Sequence, residues 1–370
     1  MIVSRALSRI ALLLSVALAG EAIAVDCSLA LIPLPTQASI DTFQATYGPC
    51  DTVAGDLIVE DVSSDPITNL DGLAGLTSVT GSLYISNSPQ LGNLDGLAAL
   101  TSVTGGLYIY GNPQLGNLNG LAALTNVGAT LQIYDNNALS SLGGLSALTS
   151  VGGTLDIELN DQLAGVDALT ALTSVGADLI IFENDQVANL AGLSALSSVG
   201  GEITIYGNGL LADVNGLAAL TSVGTNLSIS VNAQLANLDG LAALSSVGGY
   251  LDISLNDQLV NLDGLSALTS VGASLDVYDN FGLSDCAGLA PVLGWPTLPH
   301  DETADGVAGS VFIENAAGAQ SPDDCLEAYG IPPVPPPVPA VPVPALPPWG
   351  LALLAGVLGI CGLRRLQGVR

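Results

Sequence analysis

A single unit of 24 residues recurs without a slip through most of the chain. Copies start at Gly81, Gly105, Ala129, Gly153, Ala177, Gly201, Thr225, Gly249 and Ala273, and a slightly longer copy starts at Gly55. The shared pattern is G-x-L-x-I-x-x-N-x-x-L-x-N-L-x-G-L-x-A-L-T-S-V-G. No ordinary globule repeats in this way. A stacked solenoid does, because one unit alone cannot bury its apolar face. Within a unit, Leu107-x-Ile109 alternates as a short strand with both apolar side chains inward. Leu115, Leu118, Leu121 and Leu124 follow every three residues around the back, and Val127-Gly128 returns the chain to the next strand. An Asn stands just after each strand, at 112, 136, 160, 184, 208, 232, 256 and 280 (Asn112, Asn136, Asn160, Asn184, Asn208, Asn232, Asn256 and Asn280). At that corner it can bond the backbone of its own coil and of its neighbour, satisfying groups that bending leaves unpaired. With strands about 4.8 Å apart, ten coils make a rod on the order of 45–50 Å long.

The Val-Gly-x-x-Leu-x-Ile-x-x-Asn spacing resembles the leucine-rich repeat, and more specifically the receptor L-domain and its bacterial and fungal cell-wall relatives. The resemblance covers about residues 50–290. It implies a mainly β fold, a right-handed solenoid with parallel sheets. It assigns no binding residue, because that repeat is a scaffold for many ligands.

The ends of a solenoid expose strand edges and need caps. Residues 37–47 read as a short amphipathic helix with Ile40 and Phe43 on one side, placed before the first coil and flanked by Cys27 and Cys50. At the other end the repeat decays through Cys286, Trp295 and Pro296, and Cys325 follows. Four cysteines allow three pairings. Cys27–Cys50 and Cys286–Cys325 are favoured, since a rod holds its two ends too far apart for the cross-pairings.

Charge is partitioned sharply. The five basic residues are Arg5, Arg9, Arg364, Arg365 and Arg370, while every one of the 34 acidic residues except Glu21 lies within 25–345. That stretch has no Lys, no Arg and a single histidine, His300. Nucleic acid and anionic lipid are poor partners for such a surface. Net charge serves solubility, and stacked carboxylates near the Asn corner (Asp135, Asp161, Glu183, Asp185, Asp257, Asp279) offer calcium some of its oxygens. No other cofactor is expected.

The termini read as addresses. Arg5 and Arg9, the apolar run 10–18 and Ala22-Ile23-Ala24 make a secretory signal over residues 1–24. A cap over 25–54, the solenoid over 55–295 and a second cap over 296–330 follow. Proline dominates 331–348, which predicts an extended spacer of roughly 50 Å, with 331–345 as the linker. Residues 346–370 carry Leu346-Pro347-Pro348-Trp349-Gly350, an apolar run over 349–363, then Arg364-Arg365. This order resembles the PEP-CTERM class of sorting tails, in its Ile-Pro-Thr-Leu variant, with Val343-Pro344-Ala345-Leu346 in the motif's place. The resemblance implies a Gram-negative bacterium and a tail recognised, and cut, by a processing protease in the inner membrane. A plain single-span anchor is the alternative; the exported domain then ends at the cell surface, on the outer membrane, or secreted.

Catalytic signals are sparse. His300 and Asp301 have no marked nucleophile, and there is neither a phosphate loop nor zinc spacing. A polysaccharide hydrolase needs paired carboxylates; Asp156 with Glu158, and Asp252 with Asp276, are the candidates. A Thr ladder (Thr77, Thr101, Thr125, Thr149, Thr173, Thr221, Thr269) offers an ice-binding reading, but Thr at such a corner commonly bonds backbone. The stronger signal is aromatic. Tyr84, Tyr108, Tyr110, Tyr134, Phe182, Tyr206 and Tyr278 are seven of thirteen Tyr and Phe residues, and all fall at outward strand positions. Exposed tyrosine favours glycan and protein contacts. The chain is therefore expected to be a non-catalytic surface or secreted recognition and adhesion module for an extracellular glycan or protein. The alternative is a structural component of an extracellular matrix or envelope layer.

Overall fold

The structure, a computed structural model, describes residues 27–62, 64–293 and 306–314. These residues form a parallel β-solenoid with two sheets. The main sheet has twelve strands, running from Leu31–Leu34 and Asp56–Glu60 through the four-residue strands of the repeats to Leu275–Tyr278 and Val311–Glu314. Each strand pairs in parallel with its counterpart one coil away, so that Leu107 lies beside Leu131 and Ile109 beside Ile133. The second sheet has ten two-residue strands, from Thr52–Val53 to Ser270–Val271. The corner expected at Thr-Ser-Val is thus itself a paired strand: Ser102 and Val103 sit beside Asn126 and Val127. Val faces the core, and the preceding Thr hydroxyl donates to the previous coil, Thr125 Oγ1 to the Thr101 carbonyl at 3.1 Å. The hydroxyls of Thr77, Thr101, Thr149, Thr173 and Thr269 are engaged with backbone in the same way, as the corner reading anticipates.

The layer that fills each coil is uniform. Leu107, Ile109, Leu115, Leu118, Leu121, Leu124 and Val127 are all fully buried, and their counterparts in the other coils repeat the pattern. Behind the main sheet each coil closes through a 3-10 turn such as Asn119–Leu121. Here the second Asn of the repeat finds its role: Asn117 Oδ1 accepts the Asn119 N–H at 3.0 Å and fixes the entry to the turn. The glycine in the turn is a stacking requirement, since a Cβ at Gly120 would run into the carbonyl of Leu94 in the coil beneath.

The Asn corner behaves as expected. Asn112 Nδ2 donates to Ile85 O in the previous coil at 2.9 Å and to Tyr110 O in its own at 3.1 Å. Its Oδ1 accepts from the Ser88 backbone, and Asn136 Oδ1 accepts in turn from Asn112 N–H. The ladder continues to Asn280, with every Asn fully buried, and Ser88 stands in for Asn at its first rung. The residue before each Asn has positive φ: Asn87, Asp135, Leu159, Glu183, Val231, Leu255 and Asp279, with glycine only at 111 and 207.

The cap expected over 37–47 is two short helices, Gln37–Asp41 and Phe43–Tyr47, which bury Ile40 and Phe43 against the first coil. Thr36 and Ser39 form a capping box at the start. Gln37 Oε1 accepts from the Thr68 and Asn69 backbone, tying the cap to the coil. Cys27 and Cys50 are joined by a disulfide with a Cα–Cα distance of 6.2 Å. Cys286 is also disulfide-bonded; its expected partner Cys325 lies outside the described residues, as do the signal segment, Trp295, Pro296, His300, the proline linker and the sorting tail. Among the described residues no helix is long and apolar enough to cross a membrane.

Candidate ligand-binding face

Alternation along the strands turns two side chains per coil outward from the main sheet. Stacking then lines them into two columns parallel to the rod axis. One runs Ile58, Tyr84, Tyr108, Gln132, Asp156, Ile180, Thr204, Ser228, Asp252, Asp276, Phe312. The other runs Glu60, Ser86, Tyr110, Tyr134, Glu158, Phe182, Tyr206, Ser230, Ser254, Tyr278.

The six aromatic candidates form three stacked pairs. Tyr84–Tyr108 and Tyr110–Tyr134 have ring centroids 4.8 Å apart, and Phe182–Tyr206 4.7 Å; interplanar angles are 8–9°. The strip is therefore divided, with Tyr84 and Tyr108 in one column and the other four in the second. Ring faces meet along the axis at the coil spacing, and each pair has only its two outer faces left. The Tyr108 ring also lies over Gly106, where a Cβ would collide with it. Phe312 adds an aromatic at the far end, 44% exposed and tilted against Tyr278 at 6.2 Å. Its sequence signal is the Val311-x-Ile313 alternation, a Leu-x-Ile strand displaced from the 24-residue frame.

Carboxylates occupy the gaps. Asp156 is 8% exposed; its Oδ2 accepts from Gln132 Nε2 at 2.7 Å, while its Oδ1 has no hydrogen-bond partner. Glu158 stands between the Tyr134 and Phe182 rows. Burial, reinforced by the charges of Asp156 and Glu183, pushes its carboxyl up to about 7. Burial also raises Asp156, against the opposing hydrogen bond from Gln132. Tyr134 is pushed up to about 12, first by burial and then by Tyr110 and the nearby carboxylates. Burial likewise raises Asp252, which accepts from Ser228 Oγ at 3.0 Å through Oδ2 and leaves Oδ1 unpartnered. Asp276 lies beside it and accepts from Ser274 at 2.7 Å. Glu202 collects Thr204 Oγ1 and Asn226 Nδ2 at the margin of the face.

Of the corner carboxylates, Asp135, Glu183 and Asp279 sit at the positive-φ positions. Among the described residues, no group of three or more His, Cys, Asp or Glu side chains is placed to hold a metal ion.

Residues 49–163 match the family model of the Receptor L domain. That stretch is receptor L-domain-like, and it contains Tyr84, Tyr108, Tyr110, Tyr134, Asp156 and Glu158. Phe182 and Tyr206 lie on later copies of the same 24-residue unit. A comparison with curated proteins finds no match.

Proposed function

We propose that this protein is a non-catalytic, exported recognition and adhesion module that binds a glycan or protein through the outer face of its main sheet. The observation that carries the reading is the concentration of stacked aromatic pairs and half-buried carboxylates in two straight columns of that one face. Aromatic anchors beside polar groups are what binding hot spots are made of. The receptor-like match over residues 49–163 points the same way. Export, and sorting through the 346–370 tail by an inner-membrane protease, rest on the sequence features at the two termini.

The test uses the protein as recovered after export. It is applied to glycan and protein arrays with and without calcium, beside the triple variant Tyr108→Ser, Tyr110→Ser, Tyr134→Ser. Loss of the captured ligand with an unchanged melting transition is the expected result. Retention of binding by the triple variant overturns the reading. Self-assembly with no captured ligand favours a structural envelope or matrix role instead.

A further inference from the structure

One row of the main sheet interrupts the aromatic column. Tyr110 and Tyr134 stack on one side of it, Phe182 and Tyr206 on the other, and Glu158 lies between. Because each pair is parallel to within 9°, the inner rings Tyr134 and Phe182 have one face against their partners and the other toward Glu158. On the same strand Asp156 holds an enclosed Oδ1 with no hydrogen-bond partner. A buried carboxylate oxygen without a donor is costly. No Lys or Arg within 25–345 exists to supply a charged one.

We propose that Glu158, with the ring faces of Tyr134 and Phe182 on either side and the charge of Asp156 beside it, receives the ammonium group of a lysine side chain on a protein ligand. This rests on the recognition reading above and names the ligand's chemistry. Two carboxylates supply the negative charge, and two opposed ring faces attract a cation through their quadrupoles. An ammonium brings three donors for the Glu158 carboxylate, and its charge offsets that of Asp156, which shares the strand. Calcium asks for six to eight oxygens, whereas the walls here are rings. The raised proton affinity of both carboxyls agrees with a place that lacks a positive charge and gains from one.

The spacing along the rod favours a polypeptide over a polyamine or an amino-sugar polymer. The other outward carboxylate with an enclosed, unpartnered oxygen is Asp252, four coils on. Between them the column carries Ile180, Thr204 and Ser228. A polymer charged at every unit would set most of its charges over uncharged positions of the column. A polypeptide can place lysine only where a carboxylate waits.

The exported protein is titrated at about pH 8 with an acetylated, amidated peptide carrying two lysines about six residues apart, the reach of four coils at about 4.8 Å each, followed by tyrosine fluorescence, beside 1,5-diaminopentane, which carries the same charge over a shorter span. Glu158→Gln is expected to weaken the peptide about tenfold or more, against less than about twofold for Glu60→Gln on the same column. Phe182→Leu, which keeps every charge, is also expected to weaken it and gives a second readout if Glu158→Gln disturbs the fold. Equal losses in the Glu158 and Glu60 variants mean diffuse charge attraction and overturn the proposal. So does tighter binding of 1,5-diaminopentane than of the peptide. If the Tyr108/Tyr110/Tyr134 triple variant loses its array ligand while the lysine peptide does not discriminate among variants, this inference falls and the recognition reading stands.

Discussion

Glu158 binds its proton more tightly in the folded protein than a free glutamate does, because the rows beside it carry Tyr134 and Phe182 and Asp156 shares its strand. A carboxyl whose folded value is raised holds a proton that the unfolded chain has already released. Between its ordinary value and about 7, the native state therefore loses stability as pH rises. Replacing Glu158 with Gln removes that loss, so the variant should melt higher than the parent at about pH 8 and gain little at about pH 4, which thermal scans at both values check. The positive-φ corner offers another residue-scale prediction. Leu255 adopts φ 57° where Asn87, Asp135 and Asp279 adopt the same conformation in other coils. A branched apolar side chain pays about 1 kcal/mol there that Asn largely avoids. Leu255→Asn is expected to raise the melting temperature by a few degrees, and an unchanged or lower midpoint would count against that origin of strain. Neither feature was open to sequence reading in full. The outward placement of Asp156 and Glu158 follows from strand alternation, but their proton affinity depends on how deeply the flanking rows enclose them, Gln132 and Ile180 beside Asp156 and two rings beside Glu158. The corner strain is hidden because glycine, its usual marker, occupies only positions 111 and 207.

Within one coil, the Asn ladder is the element that joins bending to stacking. Asn184 donates to Ile157 O and Phe182 O and accepts from Asn160 N–H, the first and last in the buried interior and the second part-buried. Asn184→Ala strands these three backbone groups, and at about 1–3 kcal/mol each the loss should reach 3 kcal/mol or more. Denaturant unfolding of the variant measures it; a loss no larger than that of an exposed Asn, such as Asn137, would mean that water replaces the amide. The ladder was legible because its spacing never varies. The inward Leu and Ile were legible for the same reason. The second sheet was not: a two-residue strand has no alternation to read, and only the stacking of Val103 on Val127 and its counterparts reveals that the corner is paired. The first and last strands, Leu31–Leu34 and Val311–Glu314, escaped because they lie outside the 24-residue frame and use Pro33 and Phe312 at outward positions.

Across the whole molecule, carboxylates repel one another along a rod with no basic partner between residues 25 and 345. Surface repulsion of this kind is screened over about 10 Å at 0.1 M salt. The melting temperature should therefore climb as sodium chloride is raised from about 0.01 M to 0.5 M, and a flat response would show that the coils hold their charges far enough apart to ignore one another. Fold class and repeat count were readable at this scale because periodicity is a property of the chain as a whole. Which face meets a ligand was readable only as a strip; its division into three stacked pairs and an acidic gap needed the register between coils.

Apart from Tyr250 Oη, which reaches Glu202 two coils away, the hydrogen bonds of each repeat run within its own coil or to the one before and the one after it. Duplicating or deleting 24 residues would thus leave each remaining column in line and each Asn opposite an Asn. The molecule behaves as a ruler whose graduations are whole coils, and the distance between Asp156 and the second acidic spot at Asp252 is a count of four of them. A lineage could retune its reach to a new target by gene duplication alone, without redesigning the core or the Asn ladder.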